Sequence, residues 1–270
     1  MTFIQAITLG IIQGLTEFIP VSSSGHLVLI PYFLGWEIPE SEAFIFDVLV
    51  QWGTLLAVLV YFRRDLYKIA SASIGALMIG KPFTNKNSLM GWYLVVATIP
   101  AVVIGLTFKG QIEATFSSAK ATGFFLLITA ALLLIAETVG KRNRSIEDIS
   151  WCNAWWIGCF QVLSLLPGVS RSGATIAGGM TRNLDRTAAA RFSFLMSVPV
   201  MLGAGILAIK DLLELPTINH FIGPLAVGFL VALVSGYIAI SWLINYLSRH
   251  SLQVFAQYCL LLAFLTIFLT

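Results

Sequence analysis

Four ionisable side chains stand in strongly apolar stretches of this sequence: Glu17, His26, Asp47 and Arg171. An Arg, Lys or Asp at the centre of a membrane helix costs about 2.5 to 3.5 kcal/mol on insertion scales, so such residues are read first as functional. Glu17 follows Gln13 by one helical turn, which puts both on one face. Together they could hold a divalent cation or position a proton; for Gln13, helix capping or an interhelical hydrogen bond would serve equally. Pro20 then stops the helix, and Ser22-Ser23-Ser24-Gly25-His26 follows. Small residues let backbone amides turn inward, and a helix beginning near Gly25 would aim the positive end of its dipole at an anion. His26 shares that loop with three hydroxyls and is expected to face the acid, which suits proton transfer or nucleophilic attack. Further along, Ser170-Arg171-Ser172-Gly173-Ala174-Thr175 sets a guanidinium among Ser170, Ser172 and Thr175. A guanidinium fork matches phosphate oxygens in pairs, so this loop reads as an oxyanion clamp. A structural Arg171–Glu17 ion pair is the alternative, and it is compatible with the clamp until a ligand arrives. Asp47, with Gln51 one turn deeper, either lines the cavity or is a helix-start carboxylate favoured by the dipole.

The two loops are near-copies. Gly10 to Gly25 aligns without a gap on Gly158 to Gly173, which pairs Gln13 with Gln161, Ser22 with Ser170 and Ser24 with Ser172. A repeated hydrophobic segment that breaks at Pro and Gly and then shows polar groups marks a site at a repeat interface. The elements that position it are set by composition. The 270 residues are 58% hydrophobic and 11% charged, whereas a soluble domain carries about 25% charged residues, so the chain is an integral membrane protein. Cys152, Cys159 and Cys259 lie in apolar runs without ligand spacing and read as small buried hydrophobes rather than a disulfide framework or zinc site. The start lacks a positively charged leader region, so no cleavable signal is expected.

About 20 mostly apolar residues cross a bilayer, and six segments qualify: 44–62, 89–108, 120–137, 192–209, 222–244 and 252–269. Two more, 3–30 and 151–178, are interrupted by the serine loops. Irregular backbone at that depth must be buried in protein or line a wet cavity, so both read as re-entrant helix–loop–helix hairpins, with a plain eight-span arrangement as the alternative. Threading this way puts Arg63, Arg64, Lys68, Lys81, Lys86, Lys141, Arg142, Arg144, Arg182, Arg186, Arg191 and Arg249 on one side. Lys109, Lys120 and Lys210 fall on the other. The basic side is cytoplasmic, so the first hairpin opens outward. The expected fold is all-α: six transmembrane helices plus two re-entrant hairpins, in halves 1–140 and 141–270. One hairpin and three spans per half make the halves inverted relative to each other. The segment near Tyr67–Gly80 belongs at the inner interface, as does Glu137. His220 and His250 fall in loops, and Trp36, Trp92, Trp151, Trp155 and Trp156 form an interfacial belt.

Gln13-Gly-Leu-Thr-Glu17, Pro20-Val-Ser-Ser-Ser-Gly-His26 and Pro167-Gly-Val-Ser-Arg-Ser-Gly-Ala-Thr175 resemble the signatures of the bacterial undecaprenyl-diphosphate phosphatase family associated with bacitracin resistance. The likeness runs through essentially the whole chain, including Phe46-Asp47 and Phe192-Ser193-Phe194. The resemblance implies hydrolysis of undecaprenyl diphosphate to the monophosphate and phosphate, which recycles the carrier for cell-wall synthesis. It implies roles in activity for Glu17, Ser23, His26 and Arg171, and the sequence leaves His26, Ser23 or water as the nucleophile. It also implies a divalent cation, magnesium or calcium, and a place in the bacterial inner membrane with the site facing the periplasm. Many members carry Glu where this chain has Gln13, and a neutral amide is a weaker metal ligand and no base. The implied partners are the polyprenyl diphosphate and membrane lipids, with a homodimer compatible and nucleic acid not expected. The acid-phosphatase-like lipid phosphatases also use Ser-Gly-His and Ser-Arg loops, but they need a His where this chain has Ala177. From another class, a secondary transporter would share the inverted repeat; His26 and Arg171 on opposing hairpins favour phosphoryl chemistry.

Overall fold

The computed structural model describes residues 1–116, 118–213 and 222–270, excepting the side chains at positions 40, 41, 113 and 207–213. The Glu113 and Lys210 side chains and all of His220 thus lie outside the described residues. The chain runs α1 (Phe3–Phe18), α2 (Ser23–Leu34), α3 (Glu40–Tyr61), α4 (Arg63–Met78), α5 (Lys86–Thr107), α6 (Lys109–Thr115), α7 (Ala119–Val139), a 3-10 turn (Ile146–Asp148), α8 (Trp151–Leu163), α9 (Arg171–Thr181), α10 (Arg186–Leu213), α11 (Ile222–Leu247) and α12 (Gln253–Leu269). Among the described residues the fold is all-helical, with a single isolated bridge between Arg144 and Leu184.

Among the described residues, five helical stretches are long and apolar enough to cross a membrane: Glu42–Tyr61, Lys86–Thr107, Ala119–Val139, Arg186–Ile206 and Ile222–Leu247. They match the expected spans, except that α10 begins at Arg186 rather than near 192. The Asp185 side chain accepts from Ala188 N at 2.7 Å and so starts the helix within the basic turn. The sixth expected span falls on α12, which is apolar but, with 17 residues reaching about 26 Å at ~1.5 Å per residue, is among the shorter helices and not among those long enough to cross. The exteriors of these helices are apolar: Val102, Val103 and Leu106 on α5, Leu134 and Ile135 on α7, and Leu230, Val234 and Ile238 on α11 are all exposed. Such a surface suits lipid and not water, and the protein is a multi-pass membrane protein.

Segments 3–30 and 151–178 are both helix–break–helix. Their helices have 16, 12, 13 and 11 residues, so each covers only about 16 to 24 Å and none crosses ~30 Å of hydrocarbon alone. The breaks have local causes. Pro20 forces Ile19 into extended backbone (φ −62°, ψ 130°) and ends α1. The turn that follows needs a positive φ. In the second copy Gly168 takes it at +100°. The residue equivalent to Gly168 is Pro20, whose ring fixes φ near −65°, and in the first copy the positive φ falls on Ser22 at 72°. A non-glycine residue there stores about 1–3 kcal/mol of strain.

Helix pairing is reciprocal between the two copies. α1 packs on α11 and α11 on α3; correspondingly α8 packs on α5 and α5 on α10, while α7 and α12 pack on each other. The repeated glycines serve these crossings. A Cβ on Gly10 would lie 2.7 Å from the Gly228 carbonyl oxygen, and one on its mate Gly158 would lie 2.4 Å from that of Ala97. Phe18, Phe62 and Phe194 fill the centre, with Phe18 edge-on to Phe194 at 5.3 Å.

Glu137 is no bystander at the interface. Its carboxylate is buried and takes Arg186 Nε at 2.8 Å and Nη2 at 2.6 Å. It also accepts Leu252 N at 2.8 Å and pairs with Arg142 at 3.2 Å. One side chain thereby ties the end of α7 to the starts of α10 and α12. The cysteine expectation holds for Cys259, which is buried; Cys152 and Cys159 are exposed. α4 occupies the segment assigned to the inner interface, with Tyr67, Ile74, Leu77 and Met78 outward.

Candidate active site

The two breaks touch: a Cβ on Gly25, in the first turn of α2, would lie 3.4 Å from the Gly168 Cα. This contact brings together the end of α1 and the starts of α2 and α9. Each start is capped in the same way. Ser22 Oγ accepts from Gly25 N at 3.2 Å and meets Ser24 Oγ at 3.3 Å; Ser170 Oγ accepts from Gly173 N at 3.1 Å and meets Ser172 Oγ at 3.1 Å. Serine is favoured at such N-caps because its oxygen satisfies an otherwise orphaned amide. Those cap oxygens are therefore partly committed to holding the loops.

Glu17, in the last turn of α1, is where the copies join. Arg171 Nη2 donates to Glu17 Oε1 at 2.8 Å. Ser23 Oγ donates to Oε2 at 2.7 Å and Gln13 Nε2 to the same oxygen at 3.0 Å. The Arg171 and Glu17 side chains are only 13% and 9% exposed, so the pair sits largely out of water. Glu17 and Gln13 meet one turn apart, as their spacing required. Gln13 Oε1 is buried without a hydrogen-bond partner among the described residues.

In repeat register, Ser23 is the mate of Arg171 and Leu165 is the mate of Glu17. Thus the two mates, Ser23 and Arg171, grip the two oxygens of one carboxylate, and the second copy has no acid of its own. Gln161, the mate of Gln13, has neither amide atom partnered among the described residues.

His26 does not face Glu17. Its Nδ1 lies 2.7 Å from the Ser22 carbonyl oxygen, and its Nε2 lies 2.7 Å from Tyr258 Oη on α12. Thr175 is buried, and its hydroxyl is taken up by the Arg171 carbonyl at 2.7 Å and Ser193 Oγ at 2.6 Å. It shapes the helix that carries Arg171. Ser172 is likewise fully buried, which leaves Ser23 and Ser24 as the more open hydroxyls. Asp47 on α3 has no hydrogen bond or ion pair among the described residues.

Sequence reasoning missed three members of this assembly. Thr129 on α7 donates to the Gly168 carbonyl at 2.8 Å and accepts Ser170 N at 2.9 Å, which fixes the second break. Ser193 on α10 shares a 2.6 Å hydroxyl–hydroxyl contact with Thr175 and, weakly at 3.5 Å, accepts Arg171 Nη1 at its carbonyl. Tyr258 holds His26. All three lie inside predicted spans; for Thr129 and Tyr258 the available signal was a polar atom on an apolar helix, and for Ser193 also its place in the Phe192-Ser193-Phe194 likeness.

As chemistry, the assembly offers a hydroxyl on a carboxylate, a guanidinium, and two helix starts lined with small residues. These are the elements of an oxyanion site with an activated nucleophile. Among the described residues no three His, Cys, Asp or Glu side chains cluster to hold a metal ion. Glu17 and the unpartnered Gln13 oxygen are the available donors.

The sequence matches the family model described as bacitracin resistance protein BacA over residues 6–265. Proteins named undecaprenyl-diphosphatase are among its relatives. That of Chlorobaculum tepidum is 44% identical over 97% of this chain and 95% of the relative. That of Chlorobaculum parvum is 43% identical over 97% and 95%, and that of Chloroherpeton thalassium 43% over 97% and 94%.

Proposed function

The chain belongs to the bacitracin resistance protein BacA family, and from that premise we propose that it is an undecaprenyl-diphosphate phosphatase. It releases inorganic phosphate and leaves undecaprenyl phosphate, the carrier reused in cell-wall synthesis; this recycling is the basis of bacitracin resistance. The observation that carries the reading is the Glu17 carboxylate, bonded on one oxygen by Arg171 and on the other by Ser23. A prenyl tail gains about 0.8 kcal/mol per buried CH₂, so the substrate stays in the bilayer and the polar site must be reached from within the membrane. A transporter alone would give no reason for a serine hydroxyl donated to a buried carboxylate.

The terminal phosphoryl group lies between Ser23 and Arg171. Ser23 Oγ attacks the terminal phosphorus and its proton passes to Glu17. The bond from phosphorus to the bridging oxygen breaks, and undecaprenyl phosphate leaves. Water then attacks the phosphoserine phosphorus, the bond from phosphorus to Ser23 Oγ breaks as Glu17 returns its proton to that oxygen, and phosphate leaves. Arg171, released from Glu17 as that carboxylate takes the proton, neutralises the equatorial oxygens, together with amides at the start of α2. Ser23 is preferred to His26 as nucleophile because its hydroxyl already donates to Glu17, whereas both ring nitrogens of His26 are engaged; His26 serves acid–base chemistry only through the hydroxyl bonded to its Nε2. A divalent cation fits this donor set. Glu17 has about four lone-pair sites and spends three of them on Arg171, Ser23 and Gln13, and Gln13 Oε1 is spare. Glu17 and Gln13 would hold magnesium or calcium, which when bound would offset the substrate's negative charge.

The reciprocal pairing of α1 with α11 and α8 with α5 supports the finer architecture. In it, six spans and two re-entrant hairpins form two inverted halves, 1–140 and 141–270, in the bacterial inner membrane with the site opening to the periplasm. The test is phosphate release from undecaprenyl diphosphate by the purified protein with magnesium, calcium or chelator. Metal-dependent turnover lost in folded Glu17→Ala, His26→Ala and Arg171→Ala variants is the expected result. No release by a well-folded wild type from any polyprenyl diphosphate would refute the assignment.

A further inference from the structure

His26 is 5% exposed, and its two ring nitrogens have one partner each. Nδ1 lies 2.7 Å from the Ser22 carbonyl oxygen. A carbonyl only accepts, so Nδ1 must carry the hydrogen. In the neutral ring Nε2 then holds the lone pair, and the phenol of Tyr258, 2.7 Å away, donates to it. The tautomer is thereby fixed from both sides, as it is for metal-bound or triad histidines whose second nitrogen is tied down. Tyr258 also lies parallel to the imidazole, the rings inclined by 5° with centroids 5.7 Å apart. Rotation of the His26 ring would therefore break a hydrogen bond on each side.

Two features make this more than incidental packing. The carbonyl that holds Nδ1 belongs to Ser22, the residue with φ of 72°, so the conformation of the break and the orientation of the imidazole are coupled. The other partner comes from 232 residues away, on α12 of the opposite half, and Tyr258 is itself 43% exposed. The tyrosine therefore reaches from outside the buried cluster to the one basic nitrogen inside it.

We propose that Tyr258 is a positioning residue of the reaction: its O–H holds His26 as the Nδ1–H tautomer and occupies the Nε2 lone pair, so a proton reaches Nε2 through that hydroxyl, which gives its own proton to Nε2 and takes another from water. The proposal rests on the phosphatase reading for its kinetic arm only. It explains why a buried histidine in this site needs a residue from α12, and it assigns Tyr258 no contact with the substrate.

The experiment uses the full-length protein labelled with ¹⁵N-histidine in detergent micelles, as wild type and as Tyr258→Phe. The phenylalanine keeps the ring and the stack and removes one hydroxyl. The chain has three histidines, and a His26→Gln variant identifies the His26 signals. Wild type should show a protonated Nδ1 and an unprotonated, hydrogen-bonded Nε2. In Tyr258→Phe the Nε2 resonance should move toward that of a free lone pair or the tautomer populations should mix. In parallel, kcat for phosphate release should fall about three- to tenfold, the worth of one hydrogen bond, with KM unchanged. An unaltered His26 spectrum overturns the proposal, and so does an altered spectrum with unaltered kcat. A fall in kcat without spectral change would show that Tyr258 acts by another route and overturns it as well. Should the wild type release no phosphate at all, the phosphatase reading fails, while the spectra still decide whether Tyr258 sets the tautomer.

Discussion

The Glu17–Arg171 pair can be tested as a unit with Glu17→Gln and Arg171→Met, made singly and together. With side chains 9% and 13% exposed, each charge is largely desolvated, and its partner at 2.8 Å is the main compensation. Removing one partner of such a pair costs about 3–5 kcal/mol because a buried charge is left behind, whereas removing both leaves none. The double variant should therefore melt no lower than the worse single variant. Rates follow the same logic. Losing one preorganised electrostatic contact to a developing oxyanion costs on the order of 10²- to 10³-fold, or about 2.7–4 kcal/mol of activation free energy. Independent contributions would multiply to roughly 10⁴–10⁶ in the double variant. Groups acting as one unit do not multiply, so the double variant should lie within about tenfold of the worse single variant. The assay is initial-rate phosphate release in detergent with saturating divalent cation, beside thermal melts of the same preparations. Multiplicative rate losses, or a Glu17→Gln enzyme keeping more than about a third of wild-type kcat, would refute a shared site built on this pair.

Ser23→Ala should abolish any trapped phosphoenzyme and lower kcat by at least about 10²; a phosphorylated His26 in that variant would reassign the nucleophile. Gln13→Glu adds a second carboxylate beside Glu17, so it should lower the magnesium concentration for half-maximal activity, read by titration after chelator treatment. An unchanged titration would remove Gln13 from the cation site. Glu137→Ala frees Arg186 and the start of α12, at about 3–5 kcal/mol for the broken buried pair; melting should fall steeply, with kcat of the remaining folded enzyme near wild type. Gly158→Val puts a Cβ 2.4 Å from the Ala97 carbonyl oxygen, and Gly10→Val does the same at Gly228; each should lower stability by about 1–3 kcal/mol or more. Equal melting of either variant and wild type would contradict the close crossings.

What could be read from the sequence depended on how far away the physical cause lay. Helix positions and both breaks were legible because apolar run length, Pro20 and Gly168 act locally. The Glu17–Arg171 pair was legible as an alternative because a charge in apolar surroundings must find a partner, and few were on offer. Tyr258 and Thr129 were not legible. Their partners lie 232 and 41 residues away, and a hydroxyl on an apolar helix looks like any other until the fold aims it. Glu137 was undervalued for the same reason: Arg186 is 49 residues on, in a stretch read as a loop because its charges lie outside the apolar run. Thr175 was overvalued, since its place beside Arg171 in sequence says nothing of the turn that directs its hydroxyl to Ser193.

The repeat carries a further consequence for how the site works. Had the second copy repeated the first, Glu would stand at 165 and Ser at 171, and no carboxylate–guanidinium contact could form. Instead Leu165 stands where Glu17 does, and Arg171 where Ser23 does, while the caps at Ser22 and Ser170 and the glycines at 10 and 158 keep the two frames alike. The frame is shared and the chemistry is divided. The first half supplies the acid, the hydroxyl and the histidine; the second supplies the cation and, through α12, the tyrosine that holds that histidine. Either half alone would leave Glu17 or Arg171 as an uncompensated charge, so the site exists only when the halves are packed together.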